Sequence, residues 1–299
     1  MRKLLYWFLF SITYMLSLFP LRALYWLSDM ISFIFMKVFG YRRSVIYTNL
    51  ARSFPDLKYK EIKVIAKEFQ RNLIDIFIEA IWSTSKSRKR INSRVNISRE
   101  SVIRMNEGLK DKGDVLLVMG HQANWEMLSA FYYTPEGEGM TFVAKGFVSV
   151  YQKQSSGSAD SLMKYIRSRH GIQLVESGEI LRHIIRNKGG NKIYLFIADQ
   201  SPAQASGEKF VVDFLHQKTQ MLKGPEYVAR KFGIPAYYLD MRRVGRGRYA
   251  IEVIPISMEP ADTAEGYITS EFARLLQKSI ENDKSTWLWS HKRWKFHVE

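Results

Sequence analysis

Between residues 115 and 282, short apolar runs alternate with segments whose apolar positions recur at helical spacing. The runs predict strands near Val115–Met119, Thr141–Ala144, Ile172–Val175, Lys192–Ile197, Ala236–Met241 and Tyr249–Ile256. The segments between and after them predict helices near Trp125–Phe131, Ala159–Arg169, Gly178–Asn187, Gly224–Phe232 and Ile268–Asn282. A further amphipathic helix is predicted over residues 61–82. This alternation predicts an α/β fold with a mostly parallel central sheet flanked by helices on both faces.

The N-terminus has a different pattern. No residue from Leu4 to Leu21 carries a formal charge, and a second apolar stretch begins at Met30. Eighteen residues come close to the about 20 that a membrane-spanning helix needs, and Tyr, Trp and Phe suit the level of the lipid headgroups. A buried helix and a cleaved signal peptide are the alternatives. We predict hydrophobic membrane-anchoring helices over residues 1–40, spanning or interfacial, and one catalytic domain over residues 41–299.

The charge balance indicates an anionic partner. Lys plus Arg number 45 against 29 Asp plus Glu, a formal net charge of +16, and residues 1–40 hold only +3 of it, which leaves +13 for the rest. Nucleic acid, anionic lipid and an acidic carrier protein would each fit. Cysteine is absent, which excludes a thiolate nucleophile and cysteine-ligated zinc. The six histidines include no pair at metal-binding helical spacing, so no metal site is predicted.

The segment GDVLLVMGHQANWEML carries the candidate chemistry. A buried-type strand ends at Gly120, and His121 and Glu126 follow at the end of the strand where ligands bind in open α/β sheets. On one continuous helix these two side chains would lie about 140° apart. They can meet only if His121 lies in the loop and Glu126 in the first helical turn, which the linker Gln122–Asn124 permits. A carboxylate on one imidazole nitrogen makes the other a better base, so the pair could deprotonate an alcohol. The alternative is a loop histidine and a solvated helix residue.

Six ordered blocks spread over nearly the whole chain carry a family resemblance. They are RRSVIYTNLARSFPDL, GHQANWE, IRSRHGIQLV, LFIADQSP, KGPEYVARKFGIPAYYL and WLWSHKRWK. In this order they resemble the bacterial lipid A late (secondary) acyltransferases, the lauroyl/myristoyl transferase branch of the lysophospholipid acyltransferase superfamily. The GHQANWE string is similar to the His-x4-acid motif of that superfamily.

The resemblance implies a glycerolipid-acyltransferase-like fold and a specific reaction. An acyl chain would move from an acyl carrier protein thioester, or a coenzyme A thioester, to a hydroxyl of a lipid A precursor, with no cofactor. His121 would be the general base and Glu126 would orient it. The implied substrate-binding residues are Asn124, Arg167, Arg169, Asp199 and Gln200. The implied location is the cytoplasmic face of the bacterial inner membrane.

An acidic acyl carrier protein would be attracted to the basic surface of residues 41–299. The candidate docking clusters are Arg88–Arg94, the arginines at 242, 243, 246 and 248, and Lys292 with Arg293 and Lys295. Membrane lipids are the other expected partner. No helix-turn-helix, zinc-finger or RNP-like pattern is present, so nucleic acid is not expected. The alternative functions are acylation of a lysophospholipid or of an amino-acid-containing lipid, and a non-catalytic basic membrane scaffold.

Overall fold

The computed structural model describes residues 2–35, 40–130, 142–152, 157–202 and 209–296. Its strands are β1 (Val95–Ile97), β2 (Asp114–Met119), β3 (Gly146–Tyr151), β4 (Ile172–Glu176), β5 (Lys192–Ile197), β6 (Lys209–Phe214), β7 (Gln217–Leu222), β8 (Ala236–Gly245) and β9 (Arg248–Ser257). Its α-helices are α1 (Arg2–Leu18), α2 (Leu21–Ile34), α3 (Arg43–Ser53), α4 (Tyr59–Ser83), α5 (Arg88–Asn92), α6 (Arg99–Lys112), α7 (Gly157–Ser168), α8 (Ile180–Asn187), α9 (Gly224–Phe232) and α10 (Tyr267–Asn282). Short 3₁₀ segments cover Trp125–Ala130, Ser177–Glu179 and Pro260–Asp262.

Seven strands form one mixed sheet in the order β1-β9-β8-β2-β5-β3-β4. All neighbours are parallel except the β8–β9 hairpin. The predicted α/β class with a mostly parallel sheet is therefore confirmed. β6 and β7 form a separate antiparallel hairpin.

The central strand β2 explains why the fold has two cores. All six of its residues are buried, as expected for a parallel strand covered on both faces. Leu116 and Val118 belong to a core that includes residues of α3, α8, α9 and α10. Val115 and Leu117 point to the other face, into a core that includes residues of α2 and α6. The strand period of two thus divides one apolar run between two helical layers.

Most predicted elements are present, with one strand misplaced. The strand expected at Thr141–Ala144 is wrong: Phe142–Ala144 has no strand pairing, and Thr141 lies outside the described residues. The strand in this region is β3, which pairs with β4 on one side and β5 on the other. Phe142 and Ala144 are nevertheless buried, which accounts for their apolar character. The helix expected at Trp125–Phe131 is a 3₁₀ segment as far as Ala130, and Phe131 is also outside the described residues.

The N-terminal helices pack on the body of the protein. α1 contacts α4 and α7, and α2 contacts α4. Among the described residues no single helix is both long and apolar enough to cross a membrane. Lys3–Leu18 and Leu21–Ile34 reach the required length and hydropathy only as a pair, and they are bent by 120° at the break between them. The division into residues 1–40 and 41–299 stays a prediction.

Candidate active site

Gly120 ends β2 in a position that only glycine fits without movement of its neighbours. A Cβ added here would lie 2.6 Å from Cδ1 of Leu276 and 3.1 Å from Oδ2 of Asp199. Real Cβ atoms do not approach other heavy atoms at 2.6 Å, so a larger residue would displace the Leu276 side chain or the Asp199 carboxylate. The close approach brings the next residue, His121, directly against Asp199.

The loop after Gly120 is fixed by the C-terminal segment of the chain. The backbone N–H of Ala123 donates to the carbonyl of Thr286 at 3.0 Å, and the N–H of Leu288 donates to the carbonyl of His121 at 3.1 Å. Ala123 takes a left-handed backbone conformation, with φ 53°. These contacts hold the His121 backbone on both sides, so the imidazole is presented from a tethered loop.

The His121 imidazole is paired with a buried carboxylate. Nδ1 of His121 lies 2.6 Å from Oδ1 of Asp199, and the backbone N–H of His121 donates to Oδ2 at 2.8 Å. The indole N–H of Trp287 donates to the same Oδ2 at 2.7 Å. Asp199 follows β5, the strand next to β2, so the carboxyl ends of two adjacent parallel strands bring the pair together.

Burial alone would favour the neutral form of Asp199. The charge and hydrogen bonds of His121, together with the Trp287 indole, outweigh burial and lower the pKa of Asp199 below its ordinary value. The carboxylate is therefore ionised at neutral pH and holds a proton on Nδ1. That tautomer leaves Nε2 of His121 as the acceptor nitrogen of the ring, and it faces the side-chain amide of Gln200 at 3.3 Å.

Glu126 forms a second ion pair across the site. Arg167 of α7 donates from Nε to Oε2 at 2.8 Å and from Nη2 to Oε1 at 2.5 Å. The Trp125 indole N–H donates to Oε1 at 3.0 Å, and the Glu126 backbone N–H donates to the side chain of Asn124 at 3.1 Å. Burial opposes the charge on Arg167, but the Glu126 carboxylate outweighs it and raises the pKa of the guanidinium.

A buried polar network supports the loop from below. The Asn124 amide donates at 2.7 Å to Glu79, a fully buried residue of α4. Glu79 also accepts from the hydroxyls of Tyr25 at 2.8 Å and Tyr249 at 2.6 Å. Burial raises the pKa of Glu79 despite these three donors. Asn124 is thus a link between the loop and the helix layer.

A cavity of about 480 Å³ opens beside both ion pairs. Its polar lining includes His121, Glu126, Arg167 and Gln200, together with Gln152 and three serines. The remaining wall is largely aliphatic and comes from β3, β4, β5, α8 and α9, with lining residues that include Val150, Ile172, Leu174, Ile180, Leu195, Ile197 and Val228. A lining that combines an imidazole and other polar groups with many aliphatic side chains suits a ligand with a polar end and a hydrocarbon chain.

The predicted pairing of His121 with Glu126 does not occur in this structure. Asp199 takes the position at Nδ1 that was expected for Glu126, and both Glu126 oxygens are bound by Arg167. The Trp125 ring, with its centroid 5.0 Å from that of His121, packs edge-to-face on the imidazole. His121 and Glu126 both line the cavity, and their catalytic roles stay predictions.

The predicted substrate-binding residues divide into three groups. Gln200 places Nε2 at 3.3 Å from Nε2 of His121, and Arg167 lines the same cavity. Asp199 and Asn124 are buried and act on neighbouring side chains, as described above. Arg169 is directed to the end of α4, where Nη1 donates to the carbonyl of Ser83 at 3.1 Å, and it does not line the cavity.

Sequence reasoning missed Trp287 and Glu79 as parts of this site. Trp287 belongs to the aromatic C-terminal block, which indicated packing. Glu79 lies on the predicted helix 61–82, where an isolated acidic residue between Ile78 and Ala80 was the available signal. Within the described residues, no group of three or more His, Asp or Glu side chains is arranged to hold a metal ion.

The fold and site define an α/β protein in which a carboxylate-paired histidine lines a largely aliphatic cavity. A comparison with protein families makes the class specific. The family model for bacterial lipid A biosynthesis acyltransferases matches residues 1–296, and the chain belongs to that family. The protein is therefore an acyltransferase of lipid A synthesis, whose acceptor is a lipid A-type substrate. No individual curated protein matches the sequence.

Proposed function

We propose that this enzyme transfers a fatty acyl chain from an acyl carrier protein thioester to a hydroxyl of a lipid A precursor, with His121 as general base. The observation that carries the proposal is the His121–Asp199 pair, whose imidazole lines the largely aliphatic cavity. The acyl chain occupies the cavity, and the thioester carbonyl lies beside His121.

The reaction uses the His121 tautomer that Asp199 stabilises, with the proton on Nδ1. Nε2 of His121 takes the proton of the acceptor hydroxyl while the hydroxyl oxygen attacks the thioester carbonyl carbon. The tetrahedral intermediate collapses, the C–S bond breaks, and the leaving thiolate takes the proton from the imidazolium. Asp199 stabilises the imidazolium between these two proton transfers. No covalent enzyme intermediate is needed, which agrees with a chain without cysteine.

The Glu126–Arg167 pair belongs to the polar lining of the same cavity. Arg167 uses Nε and Nη2 for Glu126, and Nη1 has no hydrogen-bond partner among the described residues. We assign Nη1 to the substrate, either a phosphate of the acceptor or the developing oxyanion, since both attract a fixed guanidinium. Glu126 then acts as a positioning residue that aims Arg167.

Three arginines of the predicted docking clusters are not available to a carrier protein. Arg243 and Arg246 are bound to the buried carboxylate of Asp75 at 2.7 Å, and Arg293 is buried. Lys292 and Lys295 are exposed, and Lys292 lies next to the cavity, because the hydroxyl of Ser201, a lining residue, donates to its carbonyl at 3.3 Å. We therefore assign the approach of the acidic carrier to these two lysines.

We assign the enzyme to the cytoplasmic face of the bacterial inner membrane, and the N-terminal helices support its attachment to a membrane. α1 and α2 leave large apolar side chains exposed. These include Trp7 at 60%, Phe8 at 62% and Trp26 at 82%. Exposed aromatic residues on packed, sharply bent helices suit insertion into one leaflet. Such a placement would bring the active site to a lipid acceptor.

The test is an acyl-transfer assay with the full chain in lipid vesicles. Labelled acyl carrier protein thioester is supplied with a lipid A precursor, a lysophospholipid or an amino-acid-containing lipid. We expect transfer to the lipid A precursor, a loss of at least 100-fold in His121→Asn, and wild-type activity in the matched variant His216→Asn. Full transfer by His121→Asn would overturn the general-base role. Transfer only to another lipid would overturn the acceptor.

The donor assignment has its own test. Reversing charge with Lys292→Glu and Lys295→Glu should raise KM for the carrier-protein thioester and leave KM for a small uncharged thioester, such as an acyl-N-acetylcysteamine, unchanged, because only the acidic carrier meets these charges. An equal effect on both donors would contradict the docking surface.

A further inference from the structure

A second cavity, of about 670 Å³, lies where α1 and α2 meet the end of α4, apart from the residues that line the active site. Its lining contains four basic side chains, Arg22, Lys86, Arg90 and Arg94, and no acidic one. It is formed at the Phe19–Pro20 break between the two N-terminal helices. The proposed reaction does not use this cavity.

Trp82 forms an aromatic floor for the cationic side chains. Trp82 is 2% exposed, and it lies 5.8 Å from the Lys86 ammonium and 5.0 Å from the Arg94 guanidinium, measured to the ring centroid. Arg94 is also held by the carbonyl of Gly247, to which it donates at 3.2 Å. Two of the four cations are therefore kept in place by packing before any ligand binds.

The positive charge of the cavity is not neutralised by the protein. No ion pair joins Arg22, Lys86, Arg90 or Arg94 to a carboxylate in the described part of the chain. Burial and the neighbouring charge of Arg90 lower the pKa of Lys86, which is the sign of a cation without a compensating anion. This contrasts with Arg243 and Arg246, whose charges are taken up by Asp75.

The cavity also has an apolar lip that continues onto the surface. Leu18 is 59% exposed and Phe19 54% exposed, and both line the cavity. They join the exposed apolar side chains of α1 and α2, such as Met15 and Trp26. On the inner side, the hydroxyl of Ser85 donates to the carbonyl of Ser17 at 3.0 Å and so fixes the end of α1 against α4. Basic side chains beside exposed apolar ones match a phosphate headgroup joined to hydrocarbon chains.

We propose that this cavity binds the phosphate headgroup of an anionic membrane phospholipid and so seats the bent α1–α2 pair on the bilayer. The four cations contact the phosphate, and Leu18 and Phe19 enter the acyl region beside it. An acidic carrier protein would also be drawn to the charge, but an apolar lip in continuity with the N-terminal helices favours lipid. The proposal rests on the membrane association put forward above and goes beyond the acyl-transfer reaction.

The test is binding of the full chain to vesicles of phosphatidylcholine alone and of equal parts phosphatidylcholine and phosphatidylglycerol. Lys86→Gln with Arg90→Gln removes two cavity charges. Arg186→Gln with Lys188→Gln removes the same charges from an exposed site at the end of α8. Because a cation at an anionic surface contributes about 1 kcal/mol, the cavity pair should weaken binding to the anionic vesicles about 30-fold. The control pair should leave it unchanged, and Lys86→Arg with Arg90→Lys should retain it.

The outcomes separate this site from its alternatives. Equal wild-type binding to both vesicle types would overturn the headgroup site and leave membrane association standing, whereas no binding to either would overturn both. An equal loss in the two charge-removed pairs would replace a defined site with general charge attraction, which overturns the proposal. Unchanged vesicle binding in the cavity pair, with weaker binding of acyl carrier protein or a higher KM for the acceptor, would assign the cavity to that ligand instead. Vesicle binding requires no turnover, so failure of the acyl-transfer reaction would not affect this result.

Discussion

Trp287→Phe should impair catalysis through Asp199 without changing any group that meets substrate. The substitution keeps an aromatic ring in the core but removes the indole N–H that donates to Oδ2 of Asp199 at 2.7 Å. Trp289→Phe is a matched control. Trp289 is also buried, and its indole N–H donates at 2.6 Å to a neutral acceptor, the carbonyl of Lys284.

The magnitude follows from the kind of hydrogen bond that is lost. A bond to a charged acceptor contributes about 1.5–3 kcal/mol and a neutral one about 0.5–1.5 kcal/mol. Both variants lose the same ring volume, so packing costs are similar. Trp287→Phe should therefore reduce the free energy of unfolding by about 1 kcal/mol more than Trp289→Phe at pH 7.

The loss of unfolding free energy in Trp287→Phe should depend on pH in a defined direction. The pKa of Asp199 is lowered in the folded protein, so its carboxylate stabilises the fold above the unfolded pKa of about 3.9, and this stabilisation is lost as pH falls through the folded value. Trp287→Phe removes part of that stabilisation. The deficit of Trp287→Phe relative to wild type should be full at pH 7 and shrink as pH falls below about 4.

The assay is urea unfolding at several pH values, together with kcat for acyl transfer. We expect Trp287→Phe to lower kcat about tenfold, because a less firmly held carboxylate orients His121 less well, and Trp289→Phe to keep kcat near wild type. Equal losses of stability and kcat in the two variants, with no pH dependence that separates them, would refute the role given to the Asp199 carboxylate.

Three further predictions concern the groups around this pair. Burial raises the pKa of Glu79 in the folded protein, so the free energy of unfolding of the wild type should increase as pH falls from this pKa toward the unfolded value of about 4.3. Glu79→Gln should abolish that increase in urea unfolding, and an unchanged pH profile would contradict the raised pKa. Gly120→Ala should cost about 1–3 kcal/mol by thermal unfolding and lower activity, with partial recovery on adding Leu276→Ala; wild-type behaviour would contradict the close approach. Arg167→Lys should lower kcat/KM about 10–100-fold, because an ammonium cannot make the two-nitrogen contact and still reach the substrate; a loss below threefold would contradict the role of Nη1.

The sequence predicted the sheet well where strands are buried on both faces. Continuous apolar runs such as Val115–Met119 and Lys192–Ile197 coincide with β2 and β5, because a central parallel strand has no polar face to interrupt the run. Seven of the 20 residues from 85 to 104 are basic, which indicates only a polar, basic stretch, yet this segment contains β1 and the beginning of α6. α6 begins at the Ser98 cap and ends at Gly113 with φ 80°, a cap-and-glycine signal that the high charge obscured.

The β6–β7 hairpin shows a different limit. Its two turn residues, Leu215 and His216, both have positive φ, 50° and 61°. This conformation normally selects Asn, Asp or Gly, so the residue types give no turn signal. Tertiary contacts hold it instead: Leu215 is buried, and its backbone N–H donates to the side chain of Gln277 in α10 at 2.9 Å. Such contacts are not readable from local sequence.

Several residues of the candidate site could be predicted from the sequence, but the contacts between their side chains could not. His121, Glu126, Arg167, Asp199 and Gln200 were all named from the ordered blocks, and all five lie within one region of the fold. Which carboxylate meets the imidazole depends on the side-chain geometry at the ends of two adjacent strands. The spacing of five residues between His121 and Glu126 gives no information on that geometry. The contact that forms joins His121 to Asp199, 78 positions further along the chain.

The measurement that tests the central claim most directly is the pH dependence of kcat/KM for wild type, Asp199→Asn and Glu126→Gln. If Asp199 supports the His121 base, Asp199→Asn should lower kcat/KM about 10²–10⁴-fold and move the acidic limb of the profile to lower pH. Glu126→Gln should reduce kcat/KM through the loss of Arg167 placement and leave the acidic limb where it is in wild type. A limb that moves in Glu126→Gln and stays fixed in Asp199→Asn would contradict the account and restore Glu126 as the partner of His121.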